Sequence, residues 1–290
     1  MVVTIEQALR KASEILERAG VPESRREAAS LLAHVLQRER GFLIAHSKDE
    51  LRDDLFEVFC EYIDRRATGE PSQYVTGIQD FYGRSFLVTP DVLIPRPETE
   101  LLVNAACKHL VNHALPFSIC DVGTGSGCIL ITLLHQLQNA RGIGVDVSQA
   151  AIAIAQKNAD AHEVTDRLTF TVSDCFNALP KHLSFDLIVS NPPYVSAAAF
   201  PGLQREVRDY EPRVALSPGG DGLSIIRRLL QGAPEFLKDD GLLVMEIGFD
   251  QAQATEALIE SKVWDLVEIV PDLAGIPRIV VLRKLPADES

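Results

Sequence analysis

Residues 121–127 read Asp121-Val122-Gly123-Thr124-Gly125-Ser126-Gly127, and they separate two apolar stretches at 117–122 and 129–137. The first stretch has the length and composition of a buried strand, and the second those of a buried helix. Three glycines at alternate positions let the chain turn tightly and approach a ligand that a Cβ atom would repel. The pattern therefore predicts a strand–turn–helix unit whose turn is either a ligand-binding loop or an ordinary tight turn.

Strands and helices alternate along the chain around this turn. A helix is predicted over residues 99–113, and further helices near 222–237 and 250–261. Apart from the first strand, the predicted strands cover residues 143–147, 168–172, 185–190, 242–247, 266–270 and 278–282. Such alternation is typical of an α/β fold with a mostly parallel sheet covered by helices on both faces.

The amino-terminal part has a helical pattern instead. Thr4 with Gln7, and Ser24 with Glu27, have the spacing of capping boxes before amphipathic helices, and a further helix is predicted from about Lys48. Glycines and prolines then interrupt residues 71–97, where two short strands predict a hairpin. The sequence therefore predicts an N-terminal helical domain at 1–70, a hairpin linker at 71–97 and an α/β domain at 98–290.

Composition excludes several classes of protein. The 290 residues are 46% hydrophobic and carry a net charge of −13, of which −3 falls on residues 1–90 and −10 on the remainder. This acidity disfavours direct nucleic-acid binding, which normally uses a basic surface. Charges interrupt every apolar run before the ~18 residues of a membrane span, and no secretory signal is visible. Five scattered cysteines without a CxxC pair predict neither a disulfide framework nor a metal site, and we expect a cytoplasmic protein.

Two acidic residues follow the next strands of the predicted sheet. Asp146 lies 21 residues after Gly125 at the end of a strand, where a carboxylate can accept both hydroxyl protons of a ribose. Asp174 ends the following strand and is a candidate acceptor for an adenine amino group. The carboxyl ends of parallel strands meet at one edge of a sheet, so the turn and both acids are expected to share one crevice. The GxGxG spacing differs from the GxGxxG of dinucleotide-binding folds.

The fourth strand ends in Asn191-Pro192-Pro193-Tyr194. Two prolines fix the backbone and remove two N–H donors, which leaves the Pro192 carbonyl and the Asn191 side-chain oxygen as acceptors. Such a pair can hold an NH₂ group by both hydrogens, and Tyr194 can stack on a planar group. The alternative is a proline-rich turn with an asparagine cap.

This order of motifs resembles a class I S-adenosylmethionine-dependent methyltransferase that acts on an NH₂ nitrogen. Further segments resemble the release factor glutamine methyltransferases (the HemK/PrmC family) over nearly the whole chain. These segments are Glu70-Pro71-Ser72-Gln73-Tyr74, Phe81-Tyr82-Gly83, Leu93-Ile94-Pro95-Arg96-Pro97-Glu98-Thr99-Glu100, Glu211-Pro212-Arg213-Val214-Ala215-Leu216 and Asp272-Leu273-Ala274-Gly275.

The resemblance implies a Rossmann-like sheet with a small helical bundle that recognises the substrate, joined by a β-hairpin. It implies methyl transfer from S-adenosylmethionine to the glutamine of the Gly-Gly-Gln motif in class I peptide-chain release factors. The cofactor-binding residues implied are Gly123, Thr124, Gly125, Ser126, Gly127, Asp146, Asp174, Cys175 and Asn191. The residues implied to hold the glutamine are Asn191, Pro192, Pro193 and Tyr194, of which Asn191, Pro192 and Tyr194 are assigned to catalysis.

One position departs from the family pattern. Cys175 stands where the family often has an aromatic residue, and Phe176 follows it, so a small apolar lining group is expected there. Arg96 and Glu98 are candidates to close over the methionine end of the cofactor or to form a domain-linking ion pair. Glu246 on the fifth strand is a weaker functional candidate.

Three other functions share some of these features. Nucleic-acid adenine methyltransferases share the Asn-Pro-Pro-Tyr motif but are expected to have a basic face. Ribosomal protein glutamine methylation is a close chemical alternative. A non-catalytic domain that binds the cofactor and docks a partner through the helical region is the third.

Overall fold

The computed structural model describes residues 3–110 and 116–286 of the chain. The helices within these ranges are α1 Ile5–Arg18, α2 Ser24–Leu36, α3 Arg40–Ala45, α4 Asp53–Ala67, α5 Ser72–Thr76, α6 Glu100–Leu110, α7 Cys128–Gln136, α8 Gln149–Ala161, α9 Arg205–Tyr210, α10 Arg213–Leu216, α11 Ser224–Phe236 and α12 Ala252–Glu256. The strands are β1 Val3–Thr4, β2 Glu50–Leu51, β3 Ile78–Phe81, β4 Arg84–Leu87, β5 Ser118–Val122, β6 Arg141–Asp146, β7 Leu168–Val172, β8 Phe185–Ser190, β9 Leu237–Glu246, β10 Trp264–Pro271 and β11 Pro277–Lys284. Two short 3₁₀-helices lie at Pro97–Thr99 and Phe200–Gly202.

The chain forms two compact units, which we call the helical unit and the sheet unit. The helical unit contains the chain up to Ile78 together with the segment Gln204–Tyr210, and the sheet unit contains Gln79–Leu203 and the chain from Glu211 onward. This division differs from the predicted domain boundaries, because residues 204–210 group with the helical residues. Glu206 of that segment forms an ion pair with Arg66 at 2.9 Å, and Tyr210 bonds to Thr68. Such long-range contacts carry no local sequence signal.

The sheet unit is built on a seven-stranded sheet in the order β10-β11-β9-β8-β5-β6-β7. Strands β7, β6, β5, β8 and β9 are mutually parallel, and β11 pairs antiparallel with both β9 and β10. This confirms the predicted mostly parallel sheet. The chain passes from β5 to β6 and β7 on one side and then returns to β8 on the other side of β5, so the topology switches direction between β5 and β8.

Side-chain alternation along the strands supplies a hydrophobic core on each face of the sheet. On β8, Leu187 and Val189 belong to one core and Ile188 to the other, and β9 and β11 alternate in the same way. Helices α6 and α7 contribute to the first core and α11 to the second. A layered core of this kind fixes the strand ends, and with them the residues that follow each strand.

The helical unit has its own apolar core, and its first helix begins as predicted. Thr4 Oγ1 accepts from the Gln7 backbone N–H and the Gln7 side chain accepts from the Thr4 N–H, which forms the capping box. The second predicted capping box is wrong. Glu23 precedes α2 in a left-handed conformation with no side-chain cap, while Glu27 accepts from Arg66 and Ser72 instead.

Several predicted element boundaries also differ. The helix expected from about Lys48 begins at Asp53, because residues 50–51 form β2 against β1. The predicted hairpin is present as β3 and β4, and Tyr82 lies in its turn with a φ of 52°. The helix predicted over 99–113 is α6 as far as Leu110, and residues 111–113 lie outside the described residues.

Candidate active site

A cavity of about 560 Å³ lies at the carboxyl ends of β5, β6, β7 and β8. In open parallel sheets ligands bind at such a topological switch point, and this volume falls within the ~300–1,000 Å³ of small-molecule sites. Most of the predicted site residues line it: Gly123, Thr124, Gly125, Ser126, Asp146, Asp174, Cys175, Asn191, Pro192 and Pro193. Within the described ranges, Gly127 and Tyr194 are the predicted site residues that do not.

The glycine turn joins β5 to α7. Gly123, Gly125 and Gly127 have φ angles of 77°, 54° and 81°, a region that side-chain-bearing residues rarely adopt. The N–H groups of Gly123 and Thr124 donate to the Val145 carbonyl at 2.8 and 3.0 Å, which ties the turn to β6. A Cβ at Gly127 would meet a side chain of α7 at 3.0 Å, so this glycine permits close helix packing. A Cβ at Gly125 would meet no protein atom within 4 Å, which leaves room for a ligand beside the backbone.

Asp146 stands at the end of β6 with both carboxylate oxygens oriented by the backbone. Its Oδ1 accepts from the Ser148 N–H at 2.9 Å, and its Oδ2 accepts from the Gly125 N–H at 2.9 Å. Burial raises the pKa of Asp146, and these two backbone bonds oppose the shift. Each carboxylate oxygen has a further lone pair, so Asp146 can still accept a pair of ligand hydroxyl protons from the cavity.

Asp174 lies two residues after the end of β7. An arginine that the sequence does not single out binds it. Arg228 of α11 donates to Asp174 Oδ1 at 2.8 Å and to the Asp174 carbonyl at 3.3 Å, and it also lines the cavity. The ion pair occupies one carboxylate oxygen and leaves Oδ2 free of hydrogen bonds to the described residues. Nothing in the helical pattern of α11 distinguishes this arginine from the adjacent Arg227.

Cys175 and Phe176 have different environments. Cys175 adopts a φ of 51° and lines the cavity, and burial raises the pKa of its thiol, so it presents a neutral sulfur at neutral pH. Phe176 points into the core, where it stacks on Phe236 with ring centroids 5.3 Å apart. The expected small apolar lining group is therefore Cys175 alone.

Asn191 and Pro192 place two acceptors on the cavity wall. The Asn191 side-chain nitrogen donates to Thr99 Oγ1 at 3.0 Å, which leaves Asn191 Oδ1 as the free end of the amide. Neither that oxygen nor the Pro192 carbonyl accepts a hydrogen bond from the part of the chain that the structure describes. Two neighbouring acceptors without donors match an incoming NH₂ group.

The Tyr194 hydroxyl donates to Glu246 Oε1 at 3.2 Å, and the Tyr194 carbonyl accepts from Gln251 at 2.9 Å. Burial and the nearby Glu246 carboxylate raise the pKa of Tyr194 far above its ordinary value, so the hydroxyl keeps its proton. Gly222 lies so close that a Cβ there would meet the Tyr194 carbonyl oxygen at 2.3 Å. These contacts fix the position of the loop, and the predicted stacking of the Tyr194 ring on a planar group stays a prediction.

Glu246 and Thr99 form a buried polar pair next to Asn191, and Thr99 also lines the cavity. Each is about 2% exposed, and Thr99 Oγ1 donates to Glu246 Oε2 at 2.7 Å. Burial raises the pKa of Glu246, partly offset by the hydroxyls of Thr99 and Tyr194. The sequence marks Glu246 only weakly and Thr99 only as part of the segment 93–100, since their contact joins residues 147 positions apart.

Arg96 donates to Glu211 Oε1, and Glu211 Oε2 also accepts from the Ile94 N–H at 3.2 Å. All three residues belong to the sheet unit, so this ion pair is not the domain-linking pair that the sequence suggested. The pair braces the segment that carries Leu93 and Pro95 to the cavity wall. Glu98 is exposed, and it does not line the cavity.

The cavity fits S-adenosylmethionine on three observations. The open space beside Gly125 admits a ligand against the backbone, Asp146 offers a carboxylate for ribose hydroxyls, and apolar residues including Val147 and Ile225 line the remainder. Within residues 3–110 and 116–286, no cluster of three or more His, Cys, Asp or Glu side chains can hold a metal ion. Over the same residues, no helix is long and apolar enough to span a membrane.

Comparison with known proteins gives consistent matches. Residues 7–77 match a family model described as the PrmC N-terminal domain, and residues 117–265 match one described as a methyltransferase domain. The chain is 43% identical to the release factor glutamine methyltransferase of Koribacter versatilis over 97% of this chain and 99% of that protein. It is also 43% identical to the enzyme of the same name from Cereibacter sphaeroides, over 97% and 98% of the two chains.

A solved methyltransferase structure from Pyrococcus furiosus shares the fold. It covers 71% of this chain and 91% of its own, with a TM-score of 0.53 and 14% sequence identity. At that identity the likeness concerns the fold alone, and it agrees with the α/β sheet described above.

Proposed function

This chain belongs to the release factor glutamine methyltransferase family, and we propose on that premise that it methylates a release factor. The reaction transfers a methyl group from S-adenosylmethionine to the side-chain amide nitrogen of the glutamine in the Gly-Gly-Gln motif of class I peptide-chain release factors. The observation that carries the proposal is the pair of free acceptors, Asn191 Oδ1 and the Pro192 carbonyl, on the wall of a cavity that fits the cofactor.

An amide nitrogen is a poor nucleophile because its lone pair is delocalised into the carbonyl group. When bound, S-adenosylmethionine supplies an electrophilic methyl group on a sulfonium. Asn191 Oδ1 and the Pro192 carbonyl accept both amide hydrogens, so they fix the plane of the glutamine amide and direct its lone pair toward the methyl carbon. Their oxygens also stabilise the positive charge that develops on the nitrogen. The methylated nitrogen then loses a proton, which passes to solvent. Catalysis therefore rests on orientation and fixed dipoles.

The residues assigned to the cofactor follow from the same cavity. Asp146 would accept from the ribose hydroxyls, Asp174 Oδ2 would accept from the adenine amino group, and Cys175 would line the adenine. The glycine turn, Gly123 to Gly127, would hold the methionine part against its backbone. Pro193 and Tyr194 hold the loop that carries the substrate acceptors.

The test uses a purified class I release factor, S-adenosylmethionine with a deuterated methyl group, and tandem mass spectrometry. We expect a single labelled methyl group on the glutamine of the Gly-Gly-Gln motif. A release factor with that glutamine replaced by glutamate is the substrate control, and it should stay unlabelled. Labelling of another residue, or no labelling by an enzyme that binds S-adenosylhomocysteine, would contradict the proposal.

The helical unit is proposed to recognise the release factor. Exposed basic side chains, Arg38 and Arg40, lie at the start of α3, on which Ile44 is 81% exposed. Charge at a protein interface speeds and orients encounter. The Arg38→Glu, Arg40→Glu double variant should raise KM for the release factor about tenfold and leave cofactor binding unchanged. If the double variant bound the release factor and the cofactor equally less well, this role of the helical unit would be contradicted.

The methyltransferases of nucleic acids are the principal alternative, because they share the Asn-Pro-Pro-Tyr motif. The net charge of −13 argues against them. A protein that acts on release factors works where translation terminates, in the cytoplasm. Incubation of the enzyme with DNA or RNA and labelled cofactor should therefore give no incorporation.

A further inference from the structure

A chain of hydrogen bonds runs from the buried Glu246 through Thr99, which lines the cavity, to Asn191. Glu246 Oε2 accepts from Thr99 Oγ1 at 2.7 Å, and Thr99 Oγ1 accepts from the Asn191 side-chain nitrogen at 3.0 Å. The second carboxylate oxygen, Oε1, accepts from the Tyr194 hydroxyl at 3.2 Å. The chain of bonds therefore connects three separate elements: the 3₁₀-helix before α6, the end of β9 and the loop after β8.

The number of protons in this chain of bonds fixes its direction. An ionised carboxylate only accepts hydrogen bonds, and a threonine hydroxyl has one proton to donate. Because the Thr99 hydroxyl donates its one hydrogen bond to Glu246, it can only accept a hydrogen bond from Asn191. The amide of Asn191 must then present its NH₂ group to Thr99 and its oxygen to the cavity.

The opposite orientation of the amide would be unproductive. With Asn191 Oδ1 turned toward Thr99, two oxygens would meet without a proton between them. The Asn191 NH₂ group would then face the incoming NH₂ group of the substrate, so two donors would meet in the cavity. Because the two ends of an asparagine amide have nearly the same shape, packing alone does not select between these orientations.

We infer that Thr99 and Glu246 are positioning residues, which fix Asn191 with its oxygen toward the substrate amide through the order of donors and acceptors behind it. This inference rests on the proposed function, since it deepens the account of how that site holds the glutamine. Neither residue needs to touch the reacting atoms. Burial of a carboxylate without a directly bonded cation costs free energy. The positioning role explains why a carboxylate is nevertheless buried at this place.

Protonation of Glu246 would remove the constraint on the orientation of the Asn191 amide. A protonated carboxyl group can donate to Thr99, which frees the threonine proton to reach Asn191 Oδ1 and lets the amide turn. Burial raises the pKa of Glu246, and the nearby charges act in both directions, since Arg278 lowers it and Glu98 raises it. The other titratable group bonded to it, Tyr194, keeps its proton. Turnover should therefore fall on the acid side as Glu246 takes up a proton.

The first experiment compares Thr99→Val with Thr99→Ser. Valine keeps the branched shape and removes the hydroxyl, whereas serine keeps the hydroxyl and removes a methyl group. We expect kcat on the release factor to fall about 10- to 100-fold in Thr99→Val, as for a small misplacement of reacting groups, and Thr99→Ser to recover most of that loss. The matched control is Thr132→Val, which removes a fully buried hydroxyl with no hydrogen-bond partner in the described residues.

The second experiment replaces Glu246 by glutamine. Glutamine has one acceptor oxygen where Glu246 has two, so it can face Thr99 with either its oxygen or its NH₂ group. The order of donors and acceptors then no longer selects one orientation of Asn191. Glu246→Gln should lower kcat about tenfold or more and remove the acid limb that Glu246 contributes to the pH profile. The control is Glu268→Gln. Glu268 lies on β10, and its carboxylate is paired with Lys108 and His109 of α6.

Two measurements separate orientation from folding. Dissociation constants for S-adenosylhomocysteine and melting temperatures should stay within about twofold and a few degrees of wild type in Thr99→Val and Glu246→Gln. The side-chain NH₂ signals of Asn191, assigned by ¹⁵N NMR, should shift and exchange faster with solvent in both variants but not in Thr132→Val.

The outcomes distinguish this inference from the proposed function. If the wild-type enzyme leaves the release factor unmethylated, the proposed function fails. If the wild type is active, and Thr99→Val keeps wild-type kcat or an unchanged Asn191 signal, the inference fails while the function stands. If Thr99→Ser loses as much as Thr99→Val, the hydroxyl is not the cause and the inference also fails.

Discussion

Both units of this protein bury a charged side chain, but the two environments differ. In the helical unit, Arg66 is 5% exposed and donates to two carboxylates, Glu27 at 3.0 Å and Glu206 at 2.9 Å. In the sheet unit, Glu246 receives only hydroxyl donors, and within the described residues no cation bonds to it. Arg278 lowers the pKa of Glu246 through its charge, but its guanidinium donates to Asp272 instead.

The comparison separates two uses of a buried charge. The paired charges around Arg66 hold the segment Gln204–Tyr210 within the helical unit, which is a structural role. Glu246 lacks such compensation, and burial raises its pKa. A buried carboxylate of this kind contributes little to stability, whereas its acceptor oxygens orient the groups that face the cavity. Substitutions in the two regions should therefore have different consequences.

The largest effect is expected for Asn191→Ala, which removes one substrate acceptor. Turnover on the release factor should fall ~10²-fold or more, the scale of losing one well-aimed polar group. Steady-state kinetics and a melting curve measure the change, with the exposed Asn139→Ala as the matched control. Near-normal turnover in a folded Asn191→Ala enzyme would remove Asn191 from the mechanism.

Arg66→Met tests the buried ion pairs of the helical unit. It leaves two carboxylates without their cation, and because both are partly exposed we expect a loss of ~2–3 kcal/mol in unfolding free energy, below the range for fully buried pairs. Urea denaturation of the full chain measures it, while affinity for S-adenosylhomocysteine should not change. The surface pair of Arg52 and Asp54 offers a control, since an ion pair exposed to solvent contributes little and Arg52→Met should cost much less than Arg66→Met. Equal losses in the two variants would be incompatible with a structural role for the buried cluster.

Gly222→Ala tests how the substrate loop is held in the sheet unit. The new Cβ would meet the Tyr194 carbonyl oxygen at 2.3 Å, so the loop must move, and kcat should fall about tenfold. Gly219→Ala is the matched control, because Gly219 has a similar φ of 78° against 83° but no atom within 4 Å of its Cβ position. If both variants lose the same activity, backbone strain rather than loop displacement is responsible.

Asp121→Asn tests another buried acid of the sheet unit, with a smaller expected effect. Burial raises the pKa of Asp121 to about 7, opposed by its bond from Thr124. Between the unfolded value near 4 and pH 7, the folded state holds the extra proton, so stability falls as pH rises, by at most ~1.4 kcal/mol per pH unit. Urea denaturation at pH 5, 6 and 7 should show this slope in the wild type and a smaller one in Asp121→Asn.

The opposite pH dependence is expected for Asp186. Burial raises the pKa of Asp186, but bonds from Lys238 and Ser118 outweigh that effect and lower it overall. Stability from this group is present above the unfolded pKa and is lost as pH falls through the folded one. Asp186→Asn should therefore lose stability at neutral pH and not at low pH, as measured by the same urea series. If the two substitutions changed the pH dependence of stability in the same direction, the pKa shift assigned to one of the two groups would be wrong.

The features that depend on local pattern are predictable from the sequence. The parallel sheet and the glycine turn after β5 follow from periodicity and residue type, and the structure confirms them. The predicted boundaries of β7 and β8 are also confirmed, since both strands are short apolar runs between turn residues.

Features that depend on distant contacts are not predictable in this way. Arg228 reaches Asp174 across 54 residues, and Thr99 reaches Glu246 across 147, so the residues next to each in the chain do not indicate either contact. The predicted cap of α2 is wrong for the same reason, because Glu27 is drawn to Arg66 by tertiary packing. The sequence thus indicates the cavity wall but not the residues that orient it.

The most direct test of the function is a competition assay. Equal amounts of a class I release factor, a ribosomal protein mixture and DNA are incubated together with limiting enzyme and S-adenosylmethionine carrying a labelled methyl group. Tandem mass spectrometry and scintillation counting then locate the label. We predict that nearly all of it resides on the Gly-Gly-Gln glutamine of the release factor, and that Asn191→Ala abolishes most of it. Label found mainly on the ribosomal proteins or the DNA would contradict the proposed function.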